Sequence, residues 1–280
     1  MLYTMKELLD VASKENYAIA APNCFHELDA RAYIEAAEES NAPLILDVLY
    51  TAHPDIRFFG NMLRYMAEHA SVPIAINLDH GGAKHEHIKA IQAGFTSVMV
   101  DRSALDFDDN VKEVKEIADM AHMANVSVEA ELGHVGMANN YENDGSDKLT
   151  SPSMAKEYIA LTGVDALAVA IGTAHGAYPR GFTPYLDFER LVQIKKETDS
   201  FPLVLHGSSG TKIEDLRSAC RLGINKVNIS NDLCKASAIA LQEADLDGQK
   251  AYDVWNIAKE ATKKKLIEMI EVYGSFGKGK

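Results

Sequence analysis

The sequence predicts a (β/α)8 barrel, in which eight parallel strands form a closed ring and helices surround it. Short apolar runs rich in β-branched residues alternate along the chain with longer helical patterns, and the count reaches eight of each. A length of 280 residues with 47% apolar composition is enough to bury one sizeable core. We therefore expect a single domain over residues 1–280, with a short helix before the barrel and a helical extension after it.

The first half of the chain supplies five predicted strands and the helices between them. Residues 4–14 place apolar side chains on one helical face and predict a short helix that closes the bottom of the barrel. Strands are predicted at 17–21, 43–48, 72–76, 97–100 and 127–132, where the apolar runs are short and β-branched. Helices are predicted at 27–40, 56–70, 84–93 and 110–124, and Gly94 follows the third of them as a C-cap.

The second half continues the alternation after a long polar stretch at 133–152. Loops of this length inside a compact domain are more often functional lids than simple connectors, so a lid is expected here. Further strands are predicted at 166–171, 202–205 and 226–229, and helices at 153–161, 188–198, 212–222 and 233–243. Residues 250–273 add at least one amphipathic helix, which we expect to cap the barrel or to pack against a partner subunit.

The charge and the cysteines limit the classes of partner and the compartment. A net charge of −13 repels a nucleic-acid backbone, so nucleic acid is not an expected partner. The chain shows no signal-peptide pattern at its start and no apolar run that could span a bilayer, so no membrane partner is expected. Three cysteines without CxxC spacing fit free thiols in a reducing compartment, which predicts a cytoplasmic protein.

Three histidines stand at the ends of predicted strands, and each is followed by glycine: His80, His175 and His206. The strands of such a barrel end at one rim, where its chemistry is found, so we expect the three rings to share a site. One histidine at a strand end more often satisfies buried backbone groups, but three at one rim favour a metal. Three imidazoles also leave an open coordination position, as a catalytic zinc site requires.

Three charged residues near these histidines each have two interpretations. Asp79, next to His80, can act on a substrate hydroxyl with a pKa tuned by the cation, or can cap the following helix. Glu131 ends the fifth strand and lies either beside the metal or in a salt bridge across the barrel mouth. Lys226 could form a Schiff base, although a structural role agrees better with a metal site nearby.

The loops after the seventh and eighth strands have the composition of a phosphate site. Gly207-Ser208-Ser209-Gly210 stands just before one predicted helix, and Ser230-Asn231-Asp232 stands just before the next. Barrels often bind phosphate after these two strands, where backbone N–H groups at a helix N-terminus face the anion. An ordinary helix cap in these loops is compatible with that role.

Five motifs lie in register along the chain, and together they carry a resemblance. They are Leu78-Asp79-His80-Gly81, Glu129-Ala130-Glu131-Leu132-Gly133, Ala170-Ile171-Gly172-Thr173-Ala174-His175-Gly176, Leu205-His206-Gly207-Ser208-Ser209-Gly210 and Lys226-Val227-Asn228. Any one of them is a weak signal, but the five in order over residues 20–235 are a strong one. The chain resembles the class II, metal-dependent ketose-bisphosphate aldolases, a TIM-barrel family that includes the fructose- and tagatose-bisphosphate aldolases.

The resemblance implies a lyase that reversibly cleaves a phosphorylated ketose, of the fructose or tagatose bisphosphate type, to dihydroxyacetone phosphate and an aldehyde. It implies that His80, His175 and His206 bind one zinc ion per subunit, with Glu131 beside the metal. Asp79 would exchange a proton with the C4 hydroxyl, and Asn228 would contact the reacting carbons. The implied substrate and phosphate contacts are Asn23, Gly176, Gly207, Ser208, Ser209, Gly210, Asn228, Ser230 and Asn231. Na⁺ or K⁺ is a further expected cofactor, and a homodimer or homotetramer is the expected assembly.

The sequence departs from the family pattern mainly where the family contacts the far end of the sugar and its second phosphate. The family's Asn-x-Asn-Asn after strand one is Asn23-Cys24-Phe25-His26, its Ser/Gly-rich segment after strand two begins Leu49-Tyr50, and its Asp-Pro-Arg in the tail is Asp253-Val254-Trp255. We therefore expect a substrate other than the usual bisphosphate. The acids after strand five are also altered, which leaves Glu142 or Asp144 as the proton-abstracting acid of the lid, and we choose Glu142.

Two other functions remain open at this stage. Another metal enzyme on the same barrel, a hydrolase or an epimerase, would use the metal to activate water or a sugar carbon. A barrel that binds sugar phosphates without catalysis, or that serves as an assembly subunit, is suggested by the altered lid. Turnover of dihydroxyacetone phosphate with aldehydes, with and without a chelator, distinguishes these functions from an aldolase.

Overall fold

Eight parallel strands form the expected barrel in the computed structural model, which describes residues 1–136, 149–176 and 184–280. The strands are β1 (Ile19–Pro22), β2 (Leu44–Leu49), β3 (Ile74–Gly81), β4 (Ser97–Val100), β5 (Ser127–Leu132), β6 (Ala166–Val169), β7 (Leu203–Leu205) and β8 (Ile224–Ile229). Each strand from β2 to β7 pairs with the strand that follows it in the chain, and β8 pairs with β1. A parallel bridge between Asn23 and Asp47 joins the ends of β1 and β2, so the ring closes and the predicted fold class is confirmed.

Ten α-helices are described around and outside this ring. They are α1 (Met5–Glu15), α2 (Glu27–Glu39), α3 (Ile56–His69), α4 (Lys84–Gln92), α5 (Phe107–Met123), α6 (Pro152–Thr162), α7 (Phe188–Glu197), α8 (Ile213–Leu222), α9 (Asn231–Glu243) and α10 (Val254–Tyr273). A 3₁₀ helix, Gly248–Asp253, precedes α10. None of the described helices is long and apolar enough to cross a membrane.

Helix α1 covers the N-terminal end of the barrel. It begins with a capping box, in which Thr4 accepts a hydrogen bond from the N–H of Glu7 and the Glu7 carboxylate accepts one from the N–H of Thr4. Its fully buried Met5 and Leu9 pack in a cluster with side chains of the barrel interior, Ile45 of β2 among them. This end of the barrel is therefore sealed, and the opposite rim is left for chemistry.

The C-terminal extension packs on the outside of the barrel. Helix α10 lies against α2 and α9, and its Leu266 and Ile270 are fully buried. Lys259 on α10 forms an ion pair of 2.8 Å with Glu35 on α2. The expected amphipathic tail helix is therefore present.

Strand β3 extends further than the sequence pattern predicts. The predicted strand ends at residue 76, whereas β3 continues to Gly81. The pairing of β3 with β4 shifts between Leu78 and Gly81, and His80 has a left-handed backbone with φ of 49°. Successive side chains of a regular strand point to opposite faces, so two neighbours can share one site only where the strand is irregular. This irregularity places Asp79 and His80 at the same mouth.

Candidate metal centre

Four side chains from separate strands converge at the C-terminal rim of the barrel. His80 of β3, Glu131 of β5, His175 after β6 and His206 after β7 each offer one ligand atom, and these atoms all lie within 4.8 Å of one another. The ring centroid of His80 is 4.7 Å from each of the other two imidazoles. His175 lies six residues beyond the end of β6, and its N–H donates to Gly136 O at 2.7 Å, which fixes the loop.

Two carboxylates hold the outer ring nitrogens of this cluster. His80 Nδ1 lies 2.8 Å from Asp101 Oδ2, and His206 Nε2 lies 2.9 Å from Glu129 Oε1. A carboxylate accepts a hydrogen bond from the ring N–H that it faces, so in each neutral ring the opposite nitrogen carries a lone pair. Such carboxylate and histidine pairs are usual around bound metals, because they fix the ring and its tautomer.

The inner nitrogens of the two rings then face each other. His80 Nε2 and His206 Nδ1 are 3.0 Å apart, and two lone pairs at that distance repel unless a cation stands near them. Glu131 Oε2 and His175 Nε2 are buried, with no hydrogen-bond partner among the described residues. Imidazole and carboxylate donors left unpaired in one cluster fit a divalent ion such as zinc.

The pKa values in the cluster indicate that it retains positive charge. Burial lowers the pKa of His80, but the charge of Asp79, the hydrogen bond that His80 donates to Asp101 and the charge of Glu131 raise it to about 10. Burial and the negative charge of Asp101 raise the pKa of Glu131 to about 8. Burial and the positive charge of His80 lower the pKa of His175 to about 4. The acidic neighbours of His80 thus favour a positive charge at this position among the donors.

Asp79 is held beside the cluster by two amides. Asn23 Nδ2 donates to Asp79 Oδ2 at 2.7 Å, and Asn228 Nδ2 donates to Asp79 Oδ1 at 3.1 Å. Burial raises the pKa of Asp79, but the charges of His80, His206 and Lys226 together with the Asn23 hydrogen bond lower it below its usual value. The carboxylate is therefore charged and can accept a proton from a bound substrate.

A cavity of ≈ 230 Å³ opens from these residues to the rim. Its lining includes the predicted residues Asn23, Asp79, His80, His175, Gly176, Gly207, Ser208, Ser209, Asn228, Ser230 and Asn231, together with Phe25, Leu49 and Ile229. Gly210 was also predicted as a phosphate contact but does not line the cavity. The structure thus brings most of the predicted substrate residues to one surface.

The loop after β7 is held in a shape that requires glycine. Gly207 has φ of +67°, and a Cβ atom built there would lie 2.4 Å from Ala174 O. Ser208 donates through its hydroxyl to Asn228 O at 2.5 Å. At the start of α9, the N–H groups of Asn231 and Asp232 donate no hydrogen bond within the described part of the chain. Donors of this kind, at a helix N-terminus, suit a phosphate.

The sequence argument missed two functional candidates, Asp101 and Glu129, whereas it had placed His134 on the rim as a possible substrate contact. Asp101 directly follows β4, at the same rim as the histidines, so its position was a usable signal. Glu129 is two residues before Glu131 on β5, and side chains two apart on a strand share a face. His134 lies 2.9 Å from Ser103 Oγ and 4.0 Å from Glu131 Oε1, at the edge of the cluster.

Lys226 is a buried structural cation at the base of the site. Its Nζ lies 3.0 Å from Asp47 Oδ2 and 2.9 Å from Glu129 Oε2, and all three side chains are fully buried. Its pKa is raised, since the attraction of Asp47 and Glu129 exceeds the effect of burial. A protonated amine cannot form a Schiff base, so this geometry supports the structural role. The predicted lid acids, Glu142 and Asp144, lie outside the described residues.

Comparisons with known proteins agree with the motifs and the fold. The family model described as Fructose-bisphosphate aldolase class-II matches residues 3–278. The fructose-bisphosphate aldolase of Thermus caldophilus is 37% identical over 308 aligned positions, covering 99% of this chain and 100% of that protein. The crystal structure of the YdjI aldolase from Escherichia coli K12 is 34% identical, covers 100% of both chains and has a TM-score of 0.89. The predicted resemblance is thus confirmed, and the chain belongs to the class II fructose-bisphosphate aldolases, a family of metal-dependent lyases.

Proposed function

We propose that this protein catalyses zinc-dependent, reversible aldol cleavage of a phosphorylated ketose to dihydroxyacetone phosphate and an aldehyde. The observation that carries the proposal is the convergence of His80, Glu131, His175 and His206 beside the charged carboxylate of Asp79. A divalent ion held by these four residues would act as a Lewis acid on the ketone and stabilise the negative charge left by carbon–carbon cleavage. Zinc suits the donor set, since imidazole nitrogen and carboxylate oxygen are among its usual ligands.

Asp79 is the proposed base for the cleavage direction. Breaking the bond between C3 and C4 requires loss of the proton from the C4 hydroxyl, and the Asp79 carboxylate accepts it. Asn23 and Asn228 each hold one of its oxygens, so the carboxylate does not have to reorient before the transfer. Asn228 Oδ1 is buried and has no hydrogen-bond partner among the described residues, which leaves it available to accept a hydrogen bond from the substrate.

The phosphate of the three-carbon half is assigned to the loops after β7 and β8. The cavity is lined there by Ser208, Ser209, Ser230 and Asn231. No described side chain caps the N-terminal amides of α9, so these amides are available to bind the phosphate. Gly207 allows its loop to lie close to the backbone of Ala174. Gly176 and Asn23 are the other proposed substrate contacts that line the cavity. Gly210 remains a proposed backbone donor at the start of the turn before α8.

The proton added to the three-carbon carbanion requires a second acid, and Glu142 is the proposed residue. Its support is the sequence alone, since it lies in the polar stretch after β5. Exchange of a carbon-bound proton of dihydroxyacetone phosphate with deuterated solvent isolates this half-reaction. Glu142→Gln should slow the exchange strongly and Asp144→Asn should not, whereas the reverse result assigns the role to Asp144.

Turnover of dihydroxyacetone phosphate tests the proposed function directly. The purified protein is incubated with this ketone and a set of aldehydes, and the loss of ketone is measured with and without EDTA, followed by zinc addition. Loss that needs an aldehyde, stops with EDTA and returns with zinc supports the aldolase. Release of inorganic phosphate instead would indicate a hydrolase, and binding without any turnover would indicate a sugar-phosphate-binding protein.

Three further parts of the proposal concern surroundings and assembly. A Na⁺ or K⁺ ion beside the substrate is tested by comparing activity in NaCl, KCl and tetramethylammonium chloride at equal ionic strength. A homodimer or homotetramer is tested by light scattering after size-exclusion chromatography. A cytoplasmic location agrees with Cys24, Cys220 and Cys234, which are all free thiols.

A further inference from the structure

The cavity at the barrel mouth has two chemically different sides. The side formed by the loops after β7 and β8 presents serine hydroxyls, glycine backbone and the amides at the start of α9. The side formed by the ends of β1 and β2 presents Phe25 and Leu49. Asp79, His80 and His175 line the same cavity, so a ketose bound beside them can reach both sides.

Among the described residues, the apolar side offers no cationic side chain to a second phosphate, since no lysine or arginine of the described chain lines the cavity. Lys226 is fully buried between Asp47 and Glu129, and Arg102 donates to the carbonyls of Gly81 and Asp101 and to Glu113, so both of these cations already have partners. A phosphate carries between one and two negative charges at neutral pH and needs cationic or backbone donors when it leaves water.

The backbone donors that follow β1 on this side already have partners. The amides of Asn23 and Cys24 donate to Ile229 O and Asp47 O, in continuation of the barrel pairing. The amides of Phe25 and His26 donate to the Asp29 carboxylate at the start of α2. The carboxylate of Asp29 therefore already accepts the hydrogen bonds of the amides before α2, whereas no described side chain does so at the start of α9.

We propose that the substrate carries a single phosphate, on the half that becomes dihydroxyacetone phosphate, and that the aldehyde half is an unphosphorylated hydroxyaldehyde. This inference rests on the proposed function and names the substrate class within it. The Phe25 and Leu49 wall contacts the carbon chain of the aldehyde, while its hydroxyl groups face Asn23, Asp79 and Asn228. The net charge of −13 acts in the same direction, since it gives no long-range attraction for a doubly phosphorylated sugar.

Matched aldehyde pairs test this assignment in the synthesis direction. Dihydroxyacetone phosphate is supplied with glyceraldehyde or glyceraldehyde 3-phosphate, and in a second pair with erythrose or erythrose 4-phosphate, and kcat/KM is measured for each aldehyde. We expect kcat/KM for the unphosphorylated member to be higher by about tenfold or more, because the phosphorylated one must desolvate its charge without a partner. An equal or higher value for the phosphorylated members overturns the inference but leaves the aldolase in place. Absence of turnover with all four overturns the proposed function, and this inference with it.

A substitution on the apolar side provides a second test. Leu49→Arg introduces a cation at the end of β2, and the ratio of kcat/KM for glyceraldehyde 3-phosphate to that for glyceraldehyde should rise about tenfold or more. Leu49→Gln adds a polar side chain without charge and is the matched control, for which no comparable rise is expected. A rise with both variants, or with neither in correctly folded protein, would show that charge on this side does not set the preference.

Discussion

Asp79 is charged in a buried site because of its neighbours, and this sets the first prediction at the scale of single residues. Asp79→Asn keeps the size and can keep one of the two amide contacts, but it removes the group that accepts the C4 hydroxyl proton. We expect kcat to fall by about 10²–10⁴, the usual contribution of a general base. The zinc content should stay close to one ion per subunit, since Asp79 is not one of the four clustered donors.

The control for this substitution is Asp119→Asn, an exposed aspartate paired with Lys115 on α5. It should leave both kcat and the zinc content unchanged. Steady-state kinetics and metal analysis by mass spectrometry measure the two quantities. Retention of most of the wild-type kcat in Asp79→Asn would remove this residue from the mechanism.

Asp101 is predicted to act through His80 rather than on the substrate. Its carboxylate holds His80 Nδ1 at 2.8 Å, and it also accepts hydrogen bonds from the backbone and hydroxyl of Ser103. Asp101→Asn weakens the acceptor and permits the wrong tautomer of His80, so zinc affinity should fall about tenfold or more. Competition with a chromogenic chelator measures this affinity. If affinity is unchanged while activity falls, Asp101 has a different role.

At this scale the sequence identified residues better than it identified their partners. His80, His175 and His206 could be selected because each directly precedes glycine near a strand end. Their strand positions could have placed Asp101 and Glu129 near the site, but the roles of these two acids depend on which ring nitrogen they face. That relation exists only after the strands are arranged in a ring, so no spacing rule along the chain could supply it.

At the scale of secondary-structure elements, β8 carries a fully buried cation, Lys226. Lys226 compensates Asp47 of β2 and Glu129 of β5, so it ties three strands of the barrel together. Lys226→Met leaves two buried carboxyl groups without a cation, and we expect a loss of about 3–5 kcal/mol in the free energy of unfolding. Urea denaturation measures the loss. Lys6→Met, which breaks an exposed pair with Asp10, should cost less than about 1 kcal/mol.

The prediction for Lys226 also has a chemical control. If the lysine formed a Schiff base, treatment with dihydroxyacetone phosphate and borohydride would add a covalent mass to the protein. Because its ammonium is buried between two carboxylates, we expect no adduct by mass spectrometry. A stoichiometric adduct on Lys226 would contradict the structural role.

The turn between β7 and α8 depends on glycine, and a comparison of two glycines isolates the cause. Gly207 and Gly163 have nearly the same φ, +67° and +70°, but only Gly207 has crowded surroundings, 2.4 Å from Ala174 O. Gly163→Ala should cost about 1–2 kcal/mol from the left-handed backbone alone. Gly207→Ala should cost about 1–3 kcal/mol more, because the loop must move away from Ala174.

Urea denaturation of both variants, with titration of dihydroxyacetone phosphate by calorimetry, checks this comparison. The displaced loop should weaken ligand binding in Gly207→Ala, whereas Gly163→Ala lies at the end of α6 and should bind normally. An equal loss in the free energy of unfolding in the two variants would mean that the close contact between Gly207 and the loop after β6 does not affect stability.

The elements themselves were largely predictable, since hydrophobic alternation and strand length determine where the barrel strands lie. The predicted bounds of β4 and β5 agree with the structure, and most helix ends differ by only one to three residues. The sequence pattern predicts β3 too short, because the polar residues Asn77, Asp79 and His80 interrupt its apolar run. These residues are in the strand because the barrel mouth buries polar groups, and His80 adopts a positive φ that no local preference of histidine would indicate.

At the scale of the whole molecule, the metal cluster depends on long-range assembly. Its four donors come from β3, from β5 and from the segments after β6 and β7, and they span residues 80 to 206. No two of them are close in sequence, so the site forms only when the ring has closed. An ion bound there would therefore stabilise the folded barrel and not the unfolded chain.

Metal removal should consequently change the stability of the entire protein. With free zinc at about 1,000 times its dissociation constant, binding adds about 4 kcal/mol, so chelation should lower Tm by roughly 5–10 °C. Scanning calorimetry of the metal-loaded protein, of the same protein after EDTA, and after zinc is returned measures the shift. His175→Gln removes a donor whose Nε2 has no hydrogen-bond partner in the described part of the chain, and it should reduce the effect of EDTA. An EDTA shift of the same size in both proteins would place the stabilising ion elsewhere, whereas no shift in either would show that the four residues do not hold a tightly bound metal.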